Sequence, residues 1–290
     1  MIAARISGDR LNLQHGPIDL IIGAEGAREV AFSAAQTRFS GLLEELVAEL
    51  PLLRSAMPVS PKGVVGQRMV RAAAGFSEYV TPMAAVAGAV ADEVLAAIKK
   101  FDVSKAYVNN GGDIALHLQR GSFDVGVAGL DATALGKITI RAGDGIGGIA
   151  TSGRGGRSLS LGIADSVTVL AACGADADVA ATLIANAVDV EAVQVVRERA
   201  YDLDPDSDLG DRLVVTFCGD LTLNQIDTAI SKGEAKAMDL VRSGRIKTAF
   251  LVLQGQKRVV GVKELANALR SCSKNYNAGR GNPPRIWPCA

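Results

Sequence analysis

Five short runs with strand character follow one another between residues 105 and 153: KAYVNN, DIALHLQ, FDVGVAG, GKITIRAG and GIGGIATSG. Glycine or aspartate parts each from the next. Parallel strands need a crossover of a dozen or more residues between them, usually a helix, and none of these gaps is long enough. Consecutive strands of this kind pair as antiparallel neighbours. The pattern predicts an α+β fold with antiparallel or mixed sheets layered against helices, rather than a doubly wound parallel sheet.

The flanking segments supply the helices. Residues 34–54 read as one amphipathic helix ended by Pro51, and residues 64–74 as a short helix near Lys62, Arg68 and Arg71. Residues 82–101 open on a proline at a helix start and are apolar on nearly every side. That marks a buried helix whose polar side begins at Asp92 and Glu93. Residues 175–200 read as one helix or two, 211–219 as a strand, 222–244 as one or two helices, and 248–262 as a hairpin. A strand is expected at 16–24 after a Gly-Pro turn. Residues 1–270 are expected to form a single domain, and 271–290 an irregular C-terminal tail. Hydrophobic residues make up 48% of the 290, but aromatics only 4%, so the core must be built from Ala, Val, Leu and Ile.

Several function classes recede on composition. Lys+Arg and Asp+Glu are both 31, and no basic run is interleaved with aromatics, so a nucleic acid polymer is not an expected partner. Cys173, Cys218, Cys272 and Cys289 are far apart in sequence and form no CxxC motif. With His15 and His117 the two histidines, a Cys/His zinc site is not expected. No apolar run reaches membrane-spanning length, and the N-terminus has no signal-peptide core, so the expectation is a soluble, cytoplasmic protein without a membrane partner. The acidic run 202–211 imitates a calcium loop, but Leu209 stands where that loop needs glycine and Val215 where it needs glutamate.

Three stretches can carry chemistry. In VNNGGDIAL (108–116), Gly111 and Gly112 permit positive φ or close approach of a ligand, and Asn109, Asn110 and Asp113 offer side-chain contacts. A tight hairpin explains the same residues equally simply. In IATSGRGGRSLSLGIADSVTVLA (149–171), two strand-like runs flank a turn in which Thr151, Ser152 and Gly153 lead to Arg154 and Arg157. Such a turn can cradle an anion through backbone N–H groups and arginine, or it can be a solvated loop. In ADVAATLIANAVD, Asp178, Thr182, Asn186 and Asp189 lie along one face of an otherwise apolar helix. Asp and Thr oxygens one turn apart suit a hard cation such as Mg²⁺, and a face turned to solvent is the plain alternative.

The order VAGAVAD (86–92), NNGGDIAL (109–116), ATSG (150–153) and ADVAAT (177–182) resembles the ApbE superfamily, whose known members are flavin transferases that move FMN from FAD onto a protein threonine using Mg²⁺. More closely, the chain resembles an uncharacterised short branch of that superfamily, from about residue 16 to residue 262. The resemblance implies an ApbE-like fold. It implies Asp178, Thr182 and the backbone at Ala87 as metal ligands. It places Asn110, Gly111, Gly112, Asp113, Thr151, Ser152 and Gly153 beside a FAD or FMN ligand. Arg154, Arg157 and Asp165 are the catalytic candidates. Two departures stand out: transferases carry lysine where Ala87 stands, and a His-x-x-Asp-Pro-x-x-Gly segment where this chain reads LSLGIADSVTVLA, with Asp165 its one remnant. The implied function is a Mg-dependent enzyme binding a flavin, another nucleotide or a small anionic metabolite, with FMN transfer one form of it. The alternatives are a sulfur-transfer protein in sulfur amino acid metabolism, tested at Cys173 and Cys218, and a non-catalytic scaffold that binds a ligand or a partner protein. A homo-oligomer is compatible with each.

Overall fold

The computed structural model describes residues 1–56, 58–128, 134–156 and 158–261. The tail at 271–290, Arg157, Cys272 and Cys289 lie outside the described residues. Among those described, the centre is a nine-stranded sheet in which every neighbouring pair is antiparallel. Its strands are β1 (Ile2–Ile6), β2 (Arg10–His15), β3 (Ile18–Gly26), β4 (Val103–Asn110) and β5 (Asp113–Leu118), then β8 (Gly148–Ser152), β9 (Ser166–Ala171), β12 (Thr248–Leu253) and β13 (Gln256–Gly261). They stand side by side in that order. Two ribbons stand apart from the sheet, β6 (Ser122–Ala128) with β7 (Ala134–Arg141), and β10 (Val195–Arg199) with β11 (Leu213–Cys218). The α+β class expected from the serial strands is what the chain adopts, and β4 and β5 meet through the Gly111–Gly112 turn, where both φ angles are positive.

Helices cover one face of the sheet: α1 (Arg28–Phe39), α2 (Leu42–Leu53), α3 (Val64–Ala73), α4 (Val86–Ile98), α5 (Gly174–Ala187) and α7 (Leu223–Arg242), with the single turn α6 (Ala200–Leu203) at the end of β10. One core lies between β2–β5 and α1–α4; a second lies between β8, β9, β12 and α7. Helix α5 belongs to both. Val179 and Leu183 point into the first, Ala177, Ala180, Ala181 and Ile184 into the second. That double burial is why its sequence is apolar nearly all round. On the other face of the sheet, Ile138 and Ile140 of β7 pack on Leu116, Ile149, Leu170 and Phe250.

Several expectations need correction. The helix read at 34–54 is two helices broken at Ser40–Gly41, and Pro51, itself exposed, sits inside the last turn of α2 instead of ending it. The hairpin β1–β2 was not foreseen. Its outer strand is almost wholly exposed and carries no alternating pattern, although Gly8–Asp9 at the turn and buried Leu11 and Leu13 were readable signals. Within 175–200, the helix stops at Ala187 and a strand follows, because Val195 and Val196 pair with Cys218 and Phe217. Of the one or two helices expected at 222–244, the chain forms one. Thr222 and Gln225 form a capping box at its start, and Gly233 does not break it but admits Val188, whose Cγ2 lies 2.2 Å from where a β-carbon would stand.

Helices α4 and α5 approach each other backbone to backbone. A β-carbon at Gly88 would fall 2.2 Å from the carbonyl oxygen of Gly174, and one at Gly174 would fall 2.9 Å from that of Gly88. Backbone cannot step aside as a side chain can. Gly88→Ala is therefore expected to cost about 3 kcal/mol of unfolding free energy, read from the urea midpoint. Gly126→Ala, which meets nothing within 4 Å, should stay within about 0.5 kcal/mol. Equal effects of the two would refute the contact.

Candidate functional site

The α4 entrance begins at Thr81, whose hydroxyl accepts from the Met83 N–H and caps a 3₁₀ turn over Pro82–Ala85. Helix α4 then opens at Val86, so its first free backbone donors fall at Ala87 and Gly88. The glycine contact brings α5 across this point, and each helix sends a carboxylate to the other's first turn. Asp178 Oδ2 of α5 accepts from Gly88 N–H at 3.0 Å. Asp92 of α4 accepts from Gly174 N–H at 2.8 Å and Ala175 N–H at 2.9 Å. Both carboxylates thus meet the positive end of a helix dipole.

The β4–β5 turn closes a second side. Asn110 is buried and donates its amide to the Ala87 carbonyl at 3.2 Å. Asp113 accepts from the Thr151 N–H at 3.3 Å, and Gly112 N–H donates to Asn109 Oδ1 at 2.8 Å. A β-carbon at Gly112 would meet nothing within 4 Å, so this backbone faces open space. Ala87, Asn110, Asp113, Thr151 and Asp178 are therefore joined around the start of α4.

Burial pushes the Asp178 carboxyl well above the usual carboxylate range; the nearby charges of Asp113 and Asp92 push the same way, and the Gly88 and Ala87 N–H groups pull back. Burial also raises Asp92, against the N–H groups of Ala175 and Gly174. Asp178 is thus a carboxylate whose charge is poorly compensated by the chain itself. Thr182, one turn further along α5, is half-buried and makes no hydrogen bond among the described residues. No group of three His, Cys, Asp or Glu side chains is arranged to hold a metal among the described residues. The oxygen donors present are instead one carboxylate, one hydroxyl and a backbone carbonyl, a set whose chemistry fits a hard divalent cation.

Other sequence candidates lie elsewhere. The expected polar stripe divides: Asn186 of α5 accepts from the Leu161 N–H at 3.1 Å, whereas Asp189 lies beyond the end of α5 at Ala187 and pairs with Arg197. All four residues of the stripe, Asp178, Thr182, Asn186 and Asp189, are half-buried, so each keeps part of its side chain at the surface. Arg154 donates to Asp165 Oδ1 through Nε and Nη2, at 3.0 and 2.8 Å, and Asp165 Oδ2 accepts from the Gln254 N–H at 2.5 Å. That trio ties the glycine-arginine turn to the β12–β13 turn. Gly153 has φ +148, and a β-carbon there would fall 2.7 Å from the Asp165 carbonyl oxygen, so its role in the fold is close backbone approach. Ser152 ends β8 beside it and is half-buried. Thr151 pairs its hydroxyl with Thr168 at 2.9 Å across the β8–β9 ladder.

The function of Asp92 was missed in sequence. Its signal was an acid four residues after Gly88 in an apolar helix, beside Glu93. Gln254 was missed too, and its φ of +43 at a hairpin turn gives no sequence cue.

Three kinds of known protein resemble this chain. The family model described as AbpE bacteria matches residues 3–259. The UPF0280 protein of Methanopyrus kandleri is 35% identical over 243 residues, covering 80% of this chain and 94% of that protein. A UPF0280 protein of Methanococcus maripaludis is 34% identical over 171 residues, 56% of this chain and 69% of that protein. Solved structures include the ApbE protein of Thermotoga maritima, with TM-score 0.47, 12% identity and coverage of 90% and 99% of the two chains. The apo flavinyl transferase ApbE of Pseudomonas stutzeri has TM-score 0.49, 13% identity and coverage of 90% and 96%. No described helix is long and apolar enough to cross a membrane.

The Asp178 carboxyl keeps its proton to a higher pH when folded than when unfolded. As pH rises from about 3.9 through the raised value, the unfolded chain ionises first, so stability is lost over that window. Asp178→Asn keeps an oxygen for the Gly88 N–H and removes the charge. It is expected to raise the thermal midpoint at neutral pH in chelator and to flatten the decline with pH. An unchanged midpoint and slope would count against a poorly compensated charge.

Proposed function

The chain belongs to the AbpE family, and from that premise we propose that it is a magnesium-dependent enzyme that binds a flavin nucleotide through its phosphates. The observation that carries the reading is the half-buried Asp178 carboxylate, bonded to the Gly88 N–H in the field of Asp113, with the Thr182 hydroxyl one turn away and without a hydrogen bond among the described residues. A divalent cation would relieve that charge at the same place where the family resemblance expects a metal. Asp178, Thr182 and the Ala87 carbonyl would hold it. When bound, Mg²⁺ supplies positive charge to phosphate oxygens. The chain's own residues do the rest. Asn110 orients the Ala87 carbonyl. Asp113 and Thr151 fix the β4–β5 turn against β8. The open backbone at Gly112 gives a nucleotide room to lie against the turn.

Arg154 enters this reading as half of an ion pair, because Asp165 already balances its charge. FMN transfer onto a protein acceptor is the specific form the family suggests. Ala87 stands in place of the transferase lysine, so a flavin phosphate hydrolase or a ligand-binding role without turnover would use the same pocket.

Sulfur transfer needs a thiolate, and neither described cysteine favours one. Cys173 is pushed up to about 12, chiefly by burial and then by Asp92. Burial raises Cys218 as well, against Arg154. Iodoacetamide at neutral pH should therefore modify Cys173 at least about a hundredfold more slowly than a free thiol. Modification at the free-thiol rate would bring the sulfur reading forward.

The direct test is calorimetric titration of FAD, FMN and ADP, with and without Mg²⁺, into the wild type and Asp178→Asn. Magnesium-dependent binding, weakened at least about tenfold in the variant, is expected. Equal binding with and without Mg²⁺, or none to any nucleotide, would end the proposal.

A further inference from the structure

The acidic run that fails as a calcium loop has a structural occupation of its own. Its backbone closes on itself: Ser207 N–H donates to Asp204 O at 2.9 Å, Tyr201 N–H to Gly210 O at 2.8 Å and Ala200 N–H to Arg212 O at 2.9 Å. The loop so formed hangs from the β10–β11 ribbon and lies against the segment that leads into α4. Tyr79 donates its hydroxyl to the Asp208 carbonyl at 2.5 Å. The Arg212 guanidinium stacks on the Tyr79 ring, 3.2 Å from its centroid. Arg54, at the end of α2, reaches Asp206 at 3.8 Å.

The central contact is the Asp208 carboxylate, which accepts from the Thr81 hydroxyl. Thr81 is 2% exposed, so water cannot replace a lost partner cheaply. The same hydroxyl accepts from Met83 N–H and so caps the Pro82–Ala85 turn. That turn runs directly into Val86, Ala87 and Gly88. Orientation thus passes from Asp208 across one hydrogen bond to Thr81, and from there along the chain to the carbonyl and N–H that face Asn110 and Asp178.

We propose that loop 204–212 is a strap across the entrance of α4, with Asp208 a positioning residue that fixes the Ala87 carbonyl and Gly88 N–H for the metal-nucleotide site. Its effect on ligand affinity rests on the function proposed above; its effect on the backbone does not. Without Asp208 the Thr81 hydroxyl turns away, the cap on Met83 opens, and the first turn of α4 loosens. Outer partners of metal ligands commonly carry tenfold or more of the affinity.

The experiment compares Asp208→Ala with Asp208→Asn, whose amide oxygen still accepts from Thr81. Two quantities are read: amide hydrogen exchange over residues 83–88, and Mg²⁺-dependent ADP affinity. Asp208→Ala should speed exchange there about tenfold and weaken Mg-ADP about tenfold. Asp208→Asn should bring both back to near wild type. Wild-type exchange in Asp208→Ala, or an Asn variant no better than Ala, overturns the strap. If the wild type itself binds no Mg-ADP, the proposed function falls, and the exchange comparison alone decides the strap. Should Asp208→Ala not fold, Tyr79→Phe removes only the hydroxyl to the Asp208 carbonyl. Faster exchange at the same amides then supports the strap, and an unchanged rate refutes it.

Discussion

Two glycines in contact hold the centre of this protein together. At Gly88 and Gly174 the backbones of α4 and α5 touch without a side chain between them. That closeness lets a short aspartate on each helix reach the first turn of the other. Asp92 satisfies two N–H groups that α5 would otherwise leave unpaired, and Asp178 satisfies one on α4. The arrangement is asymmetric in its consequences. Asp92 accepts from two backbone donors through its two oxygens, and the Gly88 and Ala87 N–H groups likewise favour the Asp178 charge, but Asp178 also sits in the field of two other carboxylates. A contact made for packing therefore leaves one carboxylate with poorly met charge, and the proposed metal site rests on it.

The sheet supplies the other half. Because β4 and β5 join through a two-glycine turn, Asn110 and Asp113 sit opposite each other in register at its base. One reaches the Ala87 carbonyl and the other the β8 backbone at Thr151. Close approach recurs at the sheet edge facing α5: a β-carbon at Gly148 would fall 2.1 Å from the backbone of Cys173. Small residues on both surfaces let a helix start, a strand end and a hairpin turn share one small volume. Larger side chains at any of these points would separate the oxygen donors. The strap over Thr81 belongs to the same logic, since it governs where the first turn of α4 begins.

Much of the fold was legible from local pattern. The serial strands, the hairpin at Gly111–Gly112, the buried character of α4 and α5 and the β12–β13 hairpin each follow from periodicity and turn chemistry within a dozen residues. The errors cluster where local pattern is silent or divided. The outer strand β1 is exposed on both faces, so no alternation marks it. The β10 segment is charged as well as β-branched, and its strand state depends on pairing with β11, some twenty residues on. The break at Gly41 and the continuity through Gly233 are the same residue type with opposite outcomes. In one, the glycine has nothing within 4 Å; in the other, Val188 fills the space.

For the site, the sequence by itself determined which oxygens lie together on one helix: Asp178 and Thr182 are a turn apart whatever surrounds them. It also fixed the apolar character that obliges that helix to be buried, and the glycines that allow tight turns. Only the tertiary structure decided what those oxygens meet. Gly88 and Asp113 are distant from Asp178 along the chain, and Asn186 and Asp189, read as part of the same stripe, were assigned to other partners. Helical spacing specifies a face, but the charge state and coordination of a carboxylate depend on the groups brought within a few ångströms by packing. Those groups are chosen by contacts between remote segments, which no local repeat records.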